Sequence, residues 1–388
     1  MKHRPRNLRR PAAGRKPAAL DGLRGRIDRI DQQIVALLAQ RRQVVQKVAA
    51  VKQQQDLPLF HPAREENLIS ARREEAARVA LDPDFVEDIF RTVMRYSRTN
   101  QLDTLGRRSV RPGAKVLVVG GRGSMGTFLA RWFTQSEYEV RVLDREDWPR
   151  ARKLTAGIDL ALLAVPIEVT PAVARQLGPY LAPNCVLGDI TSLKREPLAA
   201  MLQGHSGPVV GLHPLFGPNT VTMDKQIVVV SPGREAGACA WLLEQLAVWG
   251  AVLVETPAAE HDEIMDIVQA VRHFATFAFG QFLCARRVSI PRTLELSSPI
   301  YRLELGMVGR LFAQNPSLYA QIIFATPARR ALLKEYLDFL HRHVALVEQG
   351  DQAAFIAQFK QVAKWFGSFS EQAMRESTWL IDQLVHRF

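Results

Sequence analysis

The sequence has few cysteines and no long apolar run. Its 388 residues include three cysteines, which are widely separated at Cys185, Cys239 and Cys284. An odd number without C-x-x-C spacing argues against a disulfide framework and a zinc site, and favours a reducing compartment such as the cytoplasm. The chain also lacks the run of about 18 uncharged apolar residues that a membrane-spanning helix requires. We therefore expect neither a membrane protein nor a metal-stabilised module.

Acidic residues are missing from the amino terminus. The formal net charge is +12, and seven of the cations fall within residues 1–19, where no acid occurs. This stretch has no apolar segment, so it is not a secretory signal. We predict a disordered basic tail over residues 1–19. A regulator that binds DNA through this tail is one alternative function, and it predicts salt-sensitive binding.

The residues after the tail begin with a helical region and end with another. Residues 20–105 show helical spacing of apolar side chains, with one long helix followed by two shorter ones near Arg64–Ala80 and Pro83–Asn100. Residues 259–388 are again helical. The apolar face of the helix expected over Ala259–Arg286 is too broad for the surface of a monomer. We predict an all-α amino-terminal domain and an all-α C-terminal dimerisation domain.

Between them, residues 106–258 alternate seven short β-rich runs with helices. This alternation predicts a mostly parallel sheet that is covered on both faces. The fold class expected for this region is an α/β Rossmann-type nucleotide-binding domain.

A glycine-rich loop follows the first predicted strand. The stretch "KVLVVGGRGSMG" contains G-x-G-x-x-G at Gly121, Gly123 and Gly126, between a strand and a helix. In a dinucleotide fold the first glycine permits a tight turn, the second a close approach to the pyrophosphate, and the third helix–strand packing. Asp144 ends the next strand, where a carboxylate binds the ribose hydroxyls of NAD. Arg145, which follows Asp144 directly, leaves binding of NADP as a second possibility. The alternative to a cofactor site is a glycine-rich turn with a purely structural role.

Two cations interrupt the apolar stripe of the long first helix. Arg41 and Lys52 are about 20° apart in helical phase, and Val45 and Val48 lie between them on the same face. Because an unpaired buried cation is costly, we expect an anion to meet them. The alternative is that their long stems lie at the edge of the stripe. Arg24 is out of phase, and could serve the equivalent site of an antiparallel partner subunit.

One histidine stands in an otherwise apolar stretch, "VGLHPLFGP" at residues 210–218. By itself, this pattern around His213 favours a buried histidine whose ring nitrogen bonds the backbone over a catalytic one.

Several segments resemble a known family. "LRGRIDRIDQQIVALLAQRRQVVQKVAAVK" and "PLFHPAREENLI" resemble the all-helical chorismate mutase domain. "VVGGRGSMG", "AVPIEVT", "DITSLK", "GLHPLFGP", "EHDEIMDIVQAVRHFATF" and "SSPIYRLELGMVGRLFAQNPSLYA" resemble prephenate dehydrogenase. Their order is that of the bifunctional chorismate mutase/prephenate dehydrogenases, and the resemblance covers nearly everything from residue 20 onward.

The resemblance implies that the first domain is an intertwined dimer that rearranges chorismate to prephenate. Such a rearrangement needs a fixed reactive conformer and positive potential, but no acid or base. The matching residues that hold the substrate are Arg24, Arg41, Lys52, Arg64, Ser97 and Gln101. His61 stands where relatives often have an acidic residue, so a contact to the substrate hydroxyl is in doubt.

The rest of the chain, by the same resemblance, oxidatively decarboxylates prephenate to 4-hydroxyphenylpyruvate with NAD. His213 matches the acceptor of the ring-hydroxyl proton, Ser192 its hydrogen-bonding neighbour, and Arg310 the residue that binds a substrate carboxylate. Further matching positions near the substrate are Lys194, His205, His261 and His273, and Arg302 supports the site. The positions expected to bind the cofactor are Gly121, Gly123, Ser124, Met125, Gly126, Asp144 and Pro166.

The resemblance further implies a homodimer and feedback inhibition by tyrosine. Two alternatives remain: a dehydrogenase whose amino-terminal helices only form a dimerisation arm, and a dehydrogenase for arogenate or another substrate.

Overall fold

The computed structural model describes residues 18–54, 62–104, 108–220 and 222–385. These residues form two compact units: the first takes the residues up to Arg108 together with Val248–Gly250, and the second takes Ser109–Ala247 and the residues from Ala251 onward. Most of the predicted basic tail (residues 1–17) and His61 lie outside the described residues.

Three helices form the first unit, as predicted. They are α1 (Ala18–Gln54), α2 (Pro62–Arg78) and α3 (Pro83–Thr104). A proline begins both α2 and α3, where its missing N–H leaves no helical bond unmade. Helix α3 packs against both other helices. The 37 residues of α1 extend roughly 55 Å, and its large apolar side chains, such as Ile27 and Ile34, remain about half exposed.

Seven strands form one sheet in the second unit. They are β1 (Lys115–Val119), β2 (Glu139–Leu143), β3 (Leu160–Leu163), β4 (Val186–Asp189), β5 (Val209–Pro214), β6 (Ile227–Arg234) and β7 (Val252–Glu255). The strand order is β2-β1-β3-β4-β5-β6-β7, and all neighbours are parallel except β5 and β6. The carboxyl ends of β1 to β5 therefore share one edge of the sheet, which is where α/β proteins bind ligands.

Helices cover the sheet and bury its apolar strands. They are α4 (Ser124–Gln135), α5 (Ala151–Leu154), α6 (Thr170–Leu177), α7 (Arg195–Gly204) and α8 (Ala236–Val248). The central strands β3 and β4 are buried along their full length. This agrees with the continuous apolar runs that predicted a sheet covered on both faces.

The remaining helices extend from the sheet to the end of the described chain. They are α9 (Ala258–Met265), α10 (Arg272–Ala285), α11 (Ile290–Glu295), α12 (Pro299–Phe312), α13 (Pro316–Phe324), α14 (Pro327–Glu348), α15 (Gln352–Phe366) and α16 (Ser368–Val385). Large apolar side chains of the last three, including Val347, Phe359 and Trp365, are mostly exposed. No helix among the described residues is long and apolar enough to cross a membrane.

The single helix expected over Ala259–Arg286 is wrong in one respect. A π-helical segment, Asp266–Val271, separates α9 from α10. A π turn widens the helix without ending it, so the apolar periodicity continues through it and the sequence does not reveal it. Such turns occur often at functional sites, and this one packs against α13 and α14.

Candidate active sites

In the first unit, α1 and α3 bring two of the predicted residues together. Arg41 Nη1 donates to Ser97 Oγ at 2.6 Å, and Ser97 Oγ donates to the carbonyl of Val93 at 2.7 Å. Ser97 is buried and Arg41 is partly buried. Burial lowers the pKa of Arg41, but the guanidinium remains cationic. The described partner of Arg41 is thus a neutral hydroxyl on α3, and the anion expected from the stripe stays a prediction.

The other predicted residues of this unit are not joined to Arg41 by a described contact. Arg24 is exposed and lies 3.5 Å from Asp21, and its distance along α1 from Arg41 is roughly 25 Å. Arg64 is exposed on α2. Lys52 and Gln101 lie in α1 and α3, but their side chains are outside the described ones.

In the second unit, the loop after β1 is built for close backbone approach. A Cβ at Gly126 would lie 2.2 Å from the carbonyl oxygen of Gly120, and a Cβ at Gly121 would lie 2.7 Å from Val142. The left-handed residue of the turn is Gly120, with φ +81°, and not Gly121 as the motif suggested. Gly121 is required because of its contact with β2.

The same loop presents donors and a carboxylate at the sheet edge. Helix α4 begins at Ser124, followed by Met125, and no side chain caps its amino end. Its first N–H groups are thus available to an anion. The carboxylate of Asp144 accepts the backbone N–H of Arg122 at 3.0 Å, which places it over the loop. Pro166 is exposed just after β3, at the same edge. The space kept open by glycine, the free N–H groups and the carboxylate fit a dinucleotide.

A row of hydrogen-bonded side chains crosses from β5 to α9 and the π segment. His213 Nδ1 lies 2.8 Å from His261 Nε2, and His261 Nδ1 lies 2.7 Å from Asp262 Oδ1. On the other side, the Gln269 amide nitrogen lies 3.3 Å from His213 Nε2. Both histidines are buried, and His213 is 3% exposed. Thus two of the predicted residues, His213 and His261, are in direct contact.

The carboxylate at the end of this row determines its proton positions. Asp262 accepts the backbone N–H groups of Lys194 and Arg195 at 2.8 and 3.0 Å, which hold it as an acceptor. It therefore accepts from His261 Nδ1–H, and His261 Nε2 in turn accepts from His213 Nδ1–H. His213 Nε2 is left with a lone pair, and the Gln269 amide N–H points at it. The row presents a neutral base at the carboxyl end of β5.

His213 remains neutral over a wide pH range. Burial is the main cause that lowers its pKa well below 6.5, and the charges of Lys194, His261 and Arg329 act in the same direction. Burial and the charges of Arg272 and Arg329 lower the pKa of His273 to about 4. The His273 ring is buried against Tyr319.

The structure does not place Lys194 where a substrate could reach it. Its side chain is fully buried, and its Nζ donates to Asp189 and to the carbonyl of Leu212, the latter at 2.7 Å. Burial lowers the pKa of Lys194 from 10.5. Lys194 connects the carboxyl ends of β4 and β5 next to His213, so we assign it a supporting role and not a substrate contact.

His205 lies at the other edge of the sheet. It precedes β5, and its Nε2 bonds the carbonyl of Cys185 at 2.7 Å, just before β4. Because His213 is at the carboxyl end of β5, the strand length separates the two by more than roughly 13 Å. The resemblance placed His205 near the substrate without any measure of this distance, and we leave His205 out of the site.

The remaining predicted residues are placed as follows. Ser192 is half-buried in the loop after β4. Because β4 and β5 pair in parallel, with Asp189 beside Gly211, Ser192 and His213 lie at the carboxyl ends of neighbouring strands. Arg310 is exposed in the last turn of α12. Arg302, on the same helix, donates to the carbonyl of Leu294 and thereby joins the last turn of α11 to α12.

Sequence reasoning missed three residues that contact this row or the π segment. Asp262 directly follows His261, and its carboxylate was a usable signal. Gln269 and Arg329 carried none, because they reach the site through the π turn and α14.

Family models and curated relatives match most of this chain. The family model "Chorismate mutase type II" matches residues 23–102. The nucleotide-binding and dimerization domains of prephenate dehydrogenase match residues 134–255 and 257–361. The T-protein of Enterobacter agglomerans is 45% identical over 94% of this chain and 97% of its own length. The chain belongs to the T-protein family. That of Haemophilus influenzae is 42% identical over the same shares.

As a member of the T-protein family, the chain is a bifunctional chorismate mutase and prephenate dehydrogenase of tyrosine biosynthesis. The match over the amino-terminal helices does not favour the alternative in which they form only a dimerisation arm. A prephenate dehydrogenase structure from A. aeolicus, with hydroxyphenyl propionate and NAD+, aligns with TM-score 0.52 and 16% identity over 65% of this chain and 97% of that one. It shares the fold, and the nucleotide-binding match confirms NAD as the expected cofactor.

Proposed function

We propose that His213 is the proton acceptor of the dehydrogenase reaction, which converts prephenate to 4-hydroxyphenylpyruvate and CO2. The observation that supports this role is the row from Asp262 through His261, which leaves a lone pair on His213 Nε2. The ring hydroxyl of prephenate would replace the Gln269 amide as the donor to this nitrogen. NAD, when bound, accepts the hydride.

His213 acts on the charge that this oxidation creates. As the hydride leaves the ring carbon that carries the hydroxyl, positive charge develops on that carbon and its oxygen. His213 Nε2 takes the hydroxyl proton, and Asp262 stabilises the resulting cation through His261. The bond to the ring carboxylate then breaks, its electron pair makes the ring aromatic, CO2 leaves, and the proton returns to the phenol oxygen. No net proton is consumed.

The loop after β1 and the end of β2 would bind the cofactor. The pyrophosphate would contact the N–H groups around Gly123, Ser124 and Met125, and the Asp144 carboxylate would bind the ribose hydroxyls. That carboxylate disfavours a 2′-phosphate, so we retain NAD over NADP. Pro166 borders the same edge.

Ser192, His273 and Arg310 remain our candidates for contacts to prephenate. Ser192 follows the strand end beside His213. His273 is neutral near pH 7 and thus offers hydrogen bonds rather than charge. Arg310 supplies an exposed guanidinium for a carboxylate.

For the mutase, the Arg41–Ser97 contact supports a pocket that lies between α1 and α3. Arg41 would stabilise the negative charge that develops on the ether oxygen as its bond to carbon breaks. We retain Lys52, Arg64 and Gln101 in this pocket. Arg24 would enter it from a partner subunit, because its position on α1 keeps it from its own.

The exposed apolar side chains of α14 to α16 support a homodimer, since a monomer rarely exposes so many. All three cysteines are free thiols, which agrees with a cytoplasmic location. Feedback inhibition by tyrosine is retained by analogy with the family.

Both activities can be tested by adding chorismate and then NAD to one sample of the purified protein. With chorismate alone, the purified protein should form prephenate; NAD added afterwards should yield NADH. We expect His213→Asn to lose NADH formation by at least a hundredfold while chorismate consumption continues. His341→Asn, an exposed histidine on α14, serves as the matched control. Equal loss of both activities in His213→Asn would contradict separate sites, and retained NADH formation would exclude the proposed role of His213.

A further inference from the structure

An ion pair between a buried arginine and a partly exposed aspartate joins the π segment to α14. Arg329, in the first turn of α14, is fully buried. Its Nε donates to Asp266 Oδ1 at 2.6 Å and its Nη1 to the carbonyl of Ile322 at 2.6 Å. Asp266 begins the π segment, three residues before Gln269. One guanidinium thus connects α13, α14 and the segment that contacts His213.

A contribution to stability does not by itself explain why an arginine stands at position 329. A buried guanidinium loses its hydration, and an apolar side chain of similar size often serves as well or better. Moreover, Arg329 Nη2 is buried without a hydrogen-bond partner among the described residues. The Oε1 of Gln269 is buried without one as well. Two incompletely bonded polar groups, one in the π segment and one in its ion-pair partner, indicate that the geometry here matters more than the packing energy.

We propose that Arg329 is a positioning residue for the dehydrogenase reaction: paired with Asp266, it holds the π segment so that the Gln269 amide meets Nε2 of His213. This inference rests on the proposed role of His213. Gln269 keeps the imidazole in place before the substrate arrives, and must move aside for the ring hydroxyl. A π turn shifted by loss of the ion pair would misplace both the amide and the ring.

Arg329 also adds a charge that a purely structural residue would not. The groups that face His213 are Lys194 ahead of α7, His261 on α9 with Asp262 behind it, and Arg329 on α14. Burial is the largest cause that lowers the pKa of His213, and the charges of Lys194, His261 and Arg329 lower it further. Because the base must be neutral, activity is lost as the pH falls through this pKa. A lowered pKa therefore keeps the reaction insensitive to mild acid.

The test compares kcat/KM for prephenate against pH in three variants, with saturating NAD. Arg329→Met removes both the ion pair and the charge. We expect kcat to fall roughly tenfold to a hundredfold and the acid limb of the profile to move to higher pH, because the charge of Arg329 lowers the pKa of His213. Asp266→Asn breaks the same ion pair but keeps the charge, so kcat should fall while the limb does not move up. Arg330→Met, an exposed neighbour on α14, should change neither.

Mutase activity and the melting temperature show whether each variant is folded. If Arg329→Met does not fold, Asp266→Asn still tests the geometry, because it changes a partly exposed side chain. An unshifted acid limb in folded Arg329→Met, the same upward shift in both variants, or an unchanged kcat in Asp266→Asn would each overturn the inference. The proposed function fails differently: His213→Asn would then keep its activity, whatever Arg329 does.

Discussion

The substitution Gly126→Ala tests the loop on which the cofactor assignment depends. A Cβ at this position would lie 2.2 Å from the carbonyl oxygen of Gly120 and 2.7 Å from Cα of Gly121. Both neighbours are backbone atoms of the turn, so no flexible side chain can move out of the way. Either the first turn of α4 or the loop must shift by about 1 Å, since a packed interior has little space to absorb a methyl group.

The substitution changes the free energy of unfolding through two effects of opposite sign, so the sign of the measured change shows whether the backbone contact exists. Without the contact, alanine in the first turn of α4 would stabilise the helix by roughly 0.5–1 kcal/mol. With the contact, overpacking costs about 1–3 kcal/mol. We expect the free energy of unfolding to fall by about 1 kcal/mol, and KM for NAD to rise at least roughly tenfold because the N–H groups move away from the pyrophosphate.

The assay combines KM for NAD, the melting temperature, and mutase activity as an internal control. Gly123→Ala places its Cβ 3.2 Å from the same carbonyl, and should have a smaller effect. Gly237→Ala, on α8, has nothing within 4 Å and should be neutral or slightly stabilising. An unchanged KM for NAD together with a raised melting temperature in Gly126→Ala would refute the reasoning.

Two further predictions concern the supporting residues. Lys194→Met should lower the free energy of unfolding by about 3–5 kcal/mol in denaturant titrations, because it leaves the buried Asp189 carboxylate without its cation. The double variant Asp189→Asn/Lys194→Met should recover part of this loss. If it recovers none, the broken ion pair is not the cause. Ser97→Ala removes the acceptor of Arg41 Nη1, so mutase kcat/KM should fall roughly tenfold with dehydrogenase kcat/KM unchanged; an unaffected mutase would show that this contact does not position Arg41 for the reaction.

Much of the fold follows from local patterns. The three helices of the first unit and all seven strands were predicted because amphipathic spacing, apolar runs and proline punctuation act over a few residues. The position of the glycine-rich loop between β1 and α4 follows for the same reason. The π segment escaped prediction, since one widened turn leaves the apolar periodicity nearly unchanged.

The sequence by itself determined the order of the elements and the residue types available at the strand ends, including His213. Only the tertiary structure decided which of these residues meet. His213 contacts His261 and Gln269 across 48 and 56 residues of sequence, and Arg329 reaches Asp266 across 63. The tertiary structure also buried Lys194 and placed His205 at the amino-terminal end of β5, away from His213. Such contacts depend on how whole helices pack on the sheet, and a local motif carries no measure of that distance.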